Sequence, residues 1–477
     1  MSILRRPHAN AAAIFTSDAS SRATTFLLYA LVARYLGAYD FGRFSLALTL
    51  FYIFQVVATA GLKSLITREV AAQQSEAGRY LINGGLVVLG SSVLALAGLA
   101  LFVSAMEYSD DTSSAVRLLS LGLLPFALSA VCEGALVGLE RMHLIAIANV
   151  AGSTTKIALA SLLMWRGYGL IPIIIAIVFC LAAVCIIEWM FFFRYVSSPR
   201  VVGPEVSLCV SLVKKTAPFI GIDVMVALGS SLSVLILSVM ATERDVGLLS
   251  SVNQLLVPIA VVFSSIMVSV SPALYRAFAA NDARVKPMAD RAIEVLMTIA
   301  IPSAVGLFFL ADQILPLLYG DREFGKAASI MRVMSWSLVP LALTWALGQV
   351  LVASLHEKTV LRIVAVNVVV SLAVGLVLTS QFGLLGAGIT VLITRLIDAL
   401  QHYWCVRRLH ADLNVGPLVW KAVGAGAVMS AFLVLFGDGS LFVIIPAACV
   451  VYTAVLFILS RLTSKGIRQL ADGRLNA

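Results

Sequence analysis

Charged residues are scarce in this chain of 477 residues, making up 12% of it, whereas an ordinary soluble domain contains about a quarter. Hydrophobic residues make up 60%, and the mean hydropathy is +0.99. So few charges cannot cover that much apolar surface in water, and the connections between apolar runs reach about 25 residues at most, too short for a separate domain. The scarcity of charge therefore excludes a soluble fold and indicates a membrane protein with many crossings.

Several chemical motifs are also missing from the sequence. It contains no GxxxxGK[ST] nucleotide loop, no HExxH, no GxSxG and no Cys/His cluster with the spacing of metal ligands. The six cysteines are scattered and predict neither a disulfide framework nor a metal site. We therefore expect no enzyme, no cofactor and no metal. The net charge of +9 is not gathered into a basic arm, so no nucleic-acid partner is expected.

Apolar runs of membrane-crossing length recur along the whole chain and predict an all-α protein of about 14 transmembrane helices. Lys and Arg are distributed unevenly between the two sets of connections, 23 on the side of the termini against 7 on the other, which predicts that both termini are cytoplasmic. The predicted helices are 12–35, 40–62, 81–106, 113–138, 142–164, 169–194, 214–240, 245–271, 290–318, 326–353, 359–380, 384–406, 417–437 and 440–461.

The chain also contains an internal repeat. Identical residues recur at an offset of 205, as in Asp40/Asp245 and Gly42/Gly247, and at an offset of 215 further on, as in Arg117/Arg332. An offset that stays nearly constant over six predicted helices indicates a duplicated six-helix unit, and an even number keeps both copies in the same orientation. We therefore predict an N-lobe at 1–200 and a C-lobe at 201–412 around a central cavity, with two extra helices and a tail at 413–477.

Short polar elements are expected at the cytoplasmic membrane surface in matching places of the two lobes. They are KSLITREVAAQQSEAGRY, at 63–80, and YRAFAANDARVKPMADR, at 275–291. Each could be an amphipathic element that couples lobe movement or a solvated connection.

Polar residues within the predicted helices are candidates for a functional site, because a charge at the bilayer centre costs about 2.5–3.5 kcal/mol on insertion scales. Asn149, Ser153 and Lys156 form a stripe on one face of helix 5, which must face protein or a water-filled cavity. Lys156 could pair with a buried acid or line a substrate path. Asp18 and Arg22 share a face of helix 1, where they could form an ion pair within the helix.

Further polar candidates lie in the second half of the chain. Arg395, Asp398 and His402 form a polar face of helix 12, and Arg332 lies near the outer end of helix 10, where it could extend to the membrane surface. Asp223 is the acid of helix 7 and matches the acid of helix 1 in the repeat. An acid repeated in both lobes could couple transport to protons or sodium, or could hold the lobes together.

The deep cations Arg22, Lys156 and Arg395 outnumber unpaired deep anions and would suit an anionic head group. A phosphate or pyrophosphate group is the hypothesis, because guanidinium groups match its oxygens. Asn149 and Arg332 complete the candidate binding set, and Asp18 and Asp223 form the candidate ion-coupling pair.

Three stretches of the sequence resemble motifs of one transporter family. LVARYLGAYDFGRFSLALTLFYIFQVVATAGLKSLITREVA is similar to the opening of the Wzx-type polysaccharide-biosynthesis flippases, and matches also occur near the turn at 138–141 and in LPLLYGDREFGKAASIMRVMSW. The matching residues are Ala33, Arg34, Leu36, Gly37, Phe41, Gly42, Phe44, Ser45, Gly61, Leu62, Arg68, Glu69, Gly138, Glu140, Arg141, Leu318, Tyr319, Gly320, Phe324, Ala327 and Arg332. The resemblance spans both predicted lobes.

The resemblance implies the multidrug/oligosaccharidyl-lipid/polysaccharide exporter fold in the inner membrane of a bacterium. It implies that undecaprenyl-pyrophosphate-linked oligosaccharide is moved from the cytoplasmic to the periplasmic leaflet by alternating access, without enzymatic chemistry. The implied partners are this lipid-linked oligosaccharide, membrane lipids, a polysaccharide polymerase and a chain-length regulator. Three alternatives stay open: an ion-coupled multidrug antiporter, a peptidoglycan-precursor flippase, and a membrane-embedded enzyme or scaffold of glycan assembly.

Overall fold

The structure is a computed structural model that describes residues 5–196, 203–280, 285–320, 322–409, 415–437 and 439–475. Helices account for all the regular secondary structure of these residues, which confirms the predicted all-α class. Two short 3-10 helices lie at Gln74–Glu76 and Arg322–Ala327. The α-helices are α1 (Arg5–Thr59), α2 (Leu62–Ala72), α3 (Ala77–Ala105), α4 (Asp110–Ser120), α5 (Leu123–Gly138), α6 (Met142–Trp165), α7 (Leu170–Tyr195), α8 (Val206–Met240), α9 (Glu243–Ala279), α10 (Val285–Phe309), α11 (Ala311–Tyr319), α12 (Ala328–Ser335), α13 (Leu338–Ala353), α14 (Glu357–Leu409), α15 (Gly416–Phe436) and α16 (Leu441–Leu475).

Twelve segments of the described chain are long and apolar enough to cross a membrane. Two of them, Ser20–Ala72 and Glu357–Leu409, have 53 residues each, which as straight helices would be about 80 Å long. A hydrocarbon core is only about 30 Å thick, so neither segment can be a single crossing. Each contains a reversal, and counting both as double crossings confirms the expected number of about 14 helices.

The first reversal lies at Gly37 in α1, where φ is 77° and ψ is 179°. Tyr29 and Phe41 are 12 residues apart, about 18 Å along a straight helix, yet their ring centroids lie 5.8 Å apart. Tyr29 also lies 5.5 Å from the ring of Phe44. The two limbs of α1 therefore pack against each other as a hairpin, and glycine is required at the turn because its φ is positive.

The second reversal lies at Gly383 in α14, where φ is 54° and ψ is −129°. A Cβ atom on Gly386 would overlap the carbonyl group of Leu378 and would lie 3.0 Å from the backbone nitrogen of Thr379. Residues eight positions apart in a straight helix are separated by about 12 Å, so this proximity also requires a helical hairpin. The sequence-based ends at 380 and 384 agree with its position.

Helix breaks account for most differences from the predicted elements. The predicted helix 113–138 is divided at Gly122, and the predicted helix 326–353 is divided at Ser337, which lies 215 residues later and so obeys the repeat. At both breaks an N–H group donates to the carbonyl three residues earlier, at 2.9 Å, which tightens the chain into a 3-10 turn. The predicted helix 290–318 is likewise divided, after Leu310.

The two expected surface elements have different structures. The first contains a separate amphipathic helix, α2, which buries Leu62, Leu65, Ile66 and Val70. In the second, α9 continues as far as Ala279 and α10 begins at Val285, while 281–284 lie outside the described residues. The described part of the second stretch therefore contains no separate surface helix, because the membrane helices themselves extend into it.

Two glycines that the repeat relates to each other form a close helix contact between α1 and the start of α9. A Cβ on Gly42 would lie 2.7 Å from the carbonyl carbon of Glu243 and 2.9 Å from the nitrogen of Gly247. Reciprocally, a Cβ on Gly247 would lie 3.0 Å from the nitrogen of Gly42 and 3.1 Å from the carbonyl carbon of Ala38. Small residues allow membrane helices to bring their backbones together in this way.

The chain divides by its internal contacts into two units, residues 1–247 and 248–477. In the first unit α8 packs against α1 and α3, so this helix belongs with the N-terminal half by contact. The predicted lobes at 1–200 and 201–412 follow the sequence repeat instead, and that division stays a prediction.

Candidate functional site

A cavity of about 830 Å³ lies within the first unit. It is enclosed by residues of α1, α2, α5, α6, α7 and α8 and of the turn between α1 and α2. Its charged lining consists of four cations and two carboxylates, Lys63, Arg68, Lys156, Lys215, Glu133 and Asp223. Its other polar lining residues are Ser21, Thr59, Ser64, Ser129, Asn149 and Ser153. The excess of cations makes the cavity suitable for an anion.

The position of α2 places two of these cations at the cavity. The chain turns sharply before α2, with positive φ angles of 47° at Ala60 and 63° at Gly61. The helix then lies directly on α5, because a Cβ on Gly134 would come within 2.7 Å of the carbonyl oxygen of Lys63. The Thr67 hydroxyl donates to the carbonyl oxygen of Gly134 at 3.1 Å and ties the two helices together. With its apolar face buried, α2 turns Lys63 towards α5.

An ion pair joins α2 to α5 inside the cavity. The Nζ atom of Lys63 donates to Oε2 of Glu133, while Nδ2 of Asn149 donates to Oε1 of the same carboxylate at 3.0 Å. The side chain of Glu133 is 15% exposed and that of Lys63 is 51% exposed. Glu133 is therefore a largely buried carboxylate, held by one cation and one amide from two other helices.

Lys156 lies deeper in the cavity than Lys63. It is 14 residues from the start of α6, about 21 Å along the helix axis, so its backbone lies well within a hydrocarbon core of about 30 Å. Among the described residues no carboxylate lies within ion-pair distance of its Nζ atom. Its surroundings in the lining are the hydroxyl groups of Ser21 and Ser153, whose Oγ atoms are 3.4 Å apart, and the thiol of Cys180.

A second ion-pair cluster surrounds the lining residues Arg68 and Lys215. The Nη2 atom of Arg68 lies 3.2 Å, and the Nζ atom of Lys215 3.1 Å, from the same Oε1 of Glu69. The Tyr80 hydroxyl donates to the other oxygen of this carboxylate at 3.4 Å. All four residues belong to segments that the distribution of basic residues assigns to the cytoplasmic side, so this cluster lies at the predicted cytoplasmic end of the cavity.

Three of the sequence-predicted site residues come together in this cavity: Asn149, Lys156 and Asp223. Arg22 is exposed and is not among the lining residues, although its neighbour Ser21 is. Asp18 lies on the described helix α1, but its side chain lies outside the described part of the structure. The expected ion pair between Asp18 and Arg22 therefore stays a prediction.

The other two predicted residues lie in the second unit. Arg332 on α12 forms an ion pair with Asp312 on α11. Arg395 is half-buried on α14, one turn before Asp398. Asp398 accepts a hydrogen bond from Asn367 at 2.6 Å, and its Oδ1 atom lies 3.3 Å from Nδ1 of the buried His402.

The sequence patterns did not identify Lys63, Glu133 or Glu188 as parts of the cavity and its wall. Glu133 and Glu188 lie near helix ends, where water or nearby basic residues could satisfy them, and Lys63 does so for Glu133. Glu188, by contrast, is fully buried and accepts a hydrogen bond from Ser129. Its other oxygen, Oε1, has no hydrogen-bond partner in the described structure. The one available sequence signal was the spacing of Ser129 and Glu133, which places a hydroxyl and a carboxyl on the same face of α5.

Comparison with solved structures shows a fold shared with known membrane transporters. The chain is similar to "Lipid II flippase MurJ, inward closed conformation", with a TM-score of 0.78 and 14% identity over 96% of this chain and 99% of that one. It is also similar to an inward-facing multidrug resistance MATE family transporter of the MOP superfamily, with a TM-score of 0.68 and 15% identity over 83% of this chain and 95% of that one.

A third similar structure is a MOP superfamily transporter from Pyrococcus furiosus, described by a reversed polarity of its binding pocket. Its TM-score is 0.60 at 15% identity, over 84% of this chain and 94% of that one. At these identities the comparisons show the fold. No curated protein sequence matches the chain significantly.

Two family models match the sequence. The model described as "Polysaccharide biosynthesis protein" matches residues 8–278, more than half of the chain, and the model described as "MatE" matches residues 218–377. Both families, and the shared fold, are those of membrane transporters and flippases of the multidrug/oligosaccharidyl-lipid/polysaccharide exporter superfamily, in agreement with the resemblance in the motifs. The chain is therefore a multi-pass membrane protein that belongs to the polysaccharide biosynthesis protein family.

Proposed function

We propose that this protein is a flippase that moves undecaprenyl-pyrophosphate-linked oligosaccharide from the cytoplasmic to the periplasmic leaflet of a bacterial inner membrane. The single observation that carries the proposal is Lys156, a deep cation in an 830 Å³ cavity with no carboxylate within ion-pair distance among the described residues. A lysine ammonium group binds phosphate as a point charge. An unpaired charge at this depth is costly unless a ligand or water stabilises it.

The cavity also suits the size and the direction of such a substrate. A volume of about 830 Å³ lies within the usual range of ligand sites, so it can receive a diphosphate and adjoining sugar while the prenyl chain stays in lipid. Lys63, Arg68 and Lys215 lie on segments predicted to be cytoplasmic, where the substrate would enter. Both termini on the cytoplasmic side, and partnership with a polymerase and a chain-length regulator, are part of the same proposal.

Depletion of the protein in its host tests this function. We expect undecaprenyl-pyrophosphate-linked oligosaccharide to accumulate on the cytoplasmic leaflet, and wild-type protein to reverse the accumulation. Lys156→Ala should fail to reverse it, and Lys156→Arg should restore part of the activity because it keeps the charge. Lys421→Ala is the matched control, since Lys421 lies on another candidate span, 3.8 Å from Glu294 and outside the cavity lining.

Two outcomes would contradict different parts of the proposal. A lipid-linked pool that does not change on depletion, with surface glycan intact, rejects the flippase function. Accumulation that every variant reverses, including Lys156→Ala, keeps the function and rejects the site. Arg22→Ala and Arg395→Ala, tested in the same assay, decide whether these two sequence-predicted cations take part.

An ion-coupled multidrug antiporter is the second candidate, and Asp223 is the observation that favours it. This acid is exposed and lines the cavity, and it lies within the segment matched by the MatE model. The four lining cations oppose binding of a cationic drug. Drug efflux that is lost in Asp223→Asn, with unchanged lipid-linked pools, would establish the antiporter.

A peptidoglycan-precursor flippase would use the same anionic head group, and the fold shared with the lipid II flippase supports it as an alternative. Depletion distinguishes the two substrates. Accumulated peptidoglycan precursor with a normal surface glycan would favour this alternative over the oligosaccharide.

A further inference from the structure

Glu133 forms an ion pair with Lys63, a cation of the cavity that an anionic substrate would also need. Its carboxylate accepts from Lys63 through one oxygen and from Asn149 through the other, so both oxygens are engaged across three helices. Asn149 belongs to the polar stripe that also carries Lys156. The amide thus holds the carboxylate at the wall of the cavity, where it neutralises Lys63.

We propose that Glu133 is an internal competitor for the diphosphate site: its carboxylate pairs with Lys63 when the cavity is empty, and an incoming diphosphate displaces it. This inference rests on the proposed function, because it assigns the diphosphate of that substrate to the same cavity. Lys63 then changes partner, and no covalent bond forms or breaks.

The exposure of the two partners supports an exchangeable pair. Half of the Lys63 side chain is accessible, and a flexible lysine ammonium group can turn from one anion to another without moving α2. The backbone of α2 is fixed on α5 by the bond from Thr67 and by the close approach at Gly134. The lysine side chain is therefore the movable part of a rigid frame.

The surroundings of Glu133 supply a place for its carboxyl group after displacement. Glu188 of α7 bonds to Ser129, which lies one turn from Glu133 on α5, and Glu188 interacts electrostatically with Glu133. Once Lys63 has turned away, the amide of Asn149 still donates to Glu133 and holds its carboxyl group at the cavity wall.

The charged and titratable groups around Glu133 come from four helices. Lys63 and Arg68 belong to α2, Lys156 to α6, Glu188 and Cys185 to α7, and Lys215 and Asp223 to α8; α5 itself adds Cys132. The residues that α1 contributes to the described lining are Ser21 and Thr59, and α3 contributes none of the lining residues. Only Lys63 among these cations bonds directly to Glu133.

Binding of diphosphate to the purified full chain in lipid nanodiscs tests the competition. The probes are farnesyl diphosphate and inorganic pyrophosphate, which share the head group and differ in the lipid chain. We expect Glu133→Gln to bind farnesyl diphosphate about three- to tenfold more tightly than the wild type at about pH 8, because the glutamine keeps the bond with Asn149 but releases Lys63.

The isosteric Glu133→Gln variant distinguishes competition from a merely structural role. If Glu133 only shaped the cavity wall, removing its charge would leave the affinity for the anionic probe unchanged. Glu294→Gln is the matched control, because Glu294 forms ion pairs with Arg291 and Lys421 in the second unit and should leave the affinity unchanged.

A double-mutant cycle provides the second test. In a Lys63→Gln background, Glu133 has no lysine to neutralise. The factor by which Glu133→Gln increases the affinity should therefore be at least three times smaller in this background than in the wild type. An equal effect in both backgrounds would mean that Glu133 acts as a general negative charge and would overturn the proposal. Equal affinities of wild type and Glu133→Gln would also overturn it.

The remaining outcomes separate this inference from the proposed function. If folded wild type and Glu133→Gln bind neither probe, the diphosphate site of the proposed function fails and the inference fails with it. If both bind with the same affinity, only the competition is rejected. Tightening for inorganic pyrophosphate alone would reject the lipid-linked head group as the competing anion.

Discussion

Replacing Gly42 by alanine should destabilise the protein, although alanine favours a helix more than glycine does. The added Cβ would lie 2.7 Å from the carbonyl carbon of Glu243 and 2.9 Å from the nitrogen of Gly247. These neighbours are backbone atoms of α9 and cannot rotate away. The substitution therefore forces the two helices apart at their contact.

The magnitude follows from the distances. Carbon atoms pack at about 3.5–4.0 Å, and the added Cβ would also overlap the carbonyl oxygen of Glu243, so the helices must separate by at least about 1 Å. Gaps of about 0.5–1 Å already forfeit a quarter to a half of the attraction between facing atoms. Overpacking of this kind costs about 1–3 kcal/mol. The higher helix propensity of alanine offsets at most about 1 kcal/mol of this cost. We expect a net loss of about 1–2 kcal/mol, and the reciprocal Gly247→Ala should behave in the same way.

Unfolding in detergent micelles, followed by tryptophan fluorescence, measures this effect. Gly90→Ala is the matched control: Gly90 lies within α3, and a Cβ there would meet no atom within 4 Å. The control should be neutral or more stable by up to about 1 kcal/mol. If Gly42→Ala is as stable as Gly90→Ala, the backbone contact between α1 and α9 does not exist in the folded protein.

Three further substitutions test separate features. Tyr319→Phe should lower the free energy of unfolding by about 1 kcal/mol, because the buried hydroxyl donates to the carbonyl oxygen of Ser251 at 2.8 Å; an unchanged value in the same unfolding assay would contradict this bond. Gly37→Ala should lower the free energy of unfolding by about 1–3 kcal/mol, because a φ of 77° with a ψ of 179° is a glycine conformation. No atom lies within 4 Å of the new Cβ, so this cost comes from the backbone alone, and a neutral effect would mean that the hairpin turn has another conformation. Hydrogen bonds from Arg79 lower the pKa of the Glu205 carboxyl, so its contribution to stability is complete above the unfolded pKa of about 4.3 and is lost as pH falls through the lower folded value. The difference in thermal midpoint between wild type and Glu205→Gln should therefore shrink below about pH 4, and a difference that grows with acid would contradict the pair.

The positions of most membrane helices could be predicted from the sequence, because an apolar run of about 20 residues has no other stable environment than the bilayer or a protein core. Both helical hairpins were anticipated as pairs of neighbouring helices, with ends close to Gly37 and Gly383. The breaks at Gly122 and Ser337 were not, because a single 3-10 turn leaves the apolar pattern on both sides unchanged. Hydropathy depends on composition, which such a turn does not alter.

The motifs that indicated the family proved to be structural. Phe41 and Phe44 are fully buried in the first hairpin, and Tyr319 and Phe324 are fully buried in the second unit. Gly42 permits the closest helix contact of this motif. Such residues identify the fold because packing in a membrane tolerates few alternatives, but a shared fold does not name the transported molecule.

The sequence alone determined that the chain is a multi-pass α-helical membrane protein with an internal repeat, and it identified Asn149, Lys156 and Asp223 as candidates. Periodicity sufficed for Asn149 and Lys156, because a polar side chain on an apolar helix must face away from lipid, and the internal repeat identified Asp223. Only the tertiary structure decided that these three share one cavity and that Lys63 and Glu133 form an ion pair there. The pair joins residues 70 positions apart on different helices, and its geometry depends on how closely α2 approaches α5 at a glycine, a distance that no local pattern encodes.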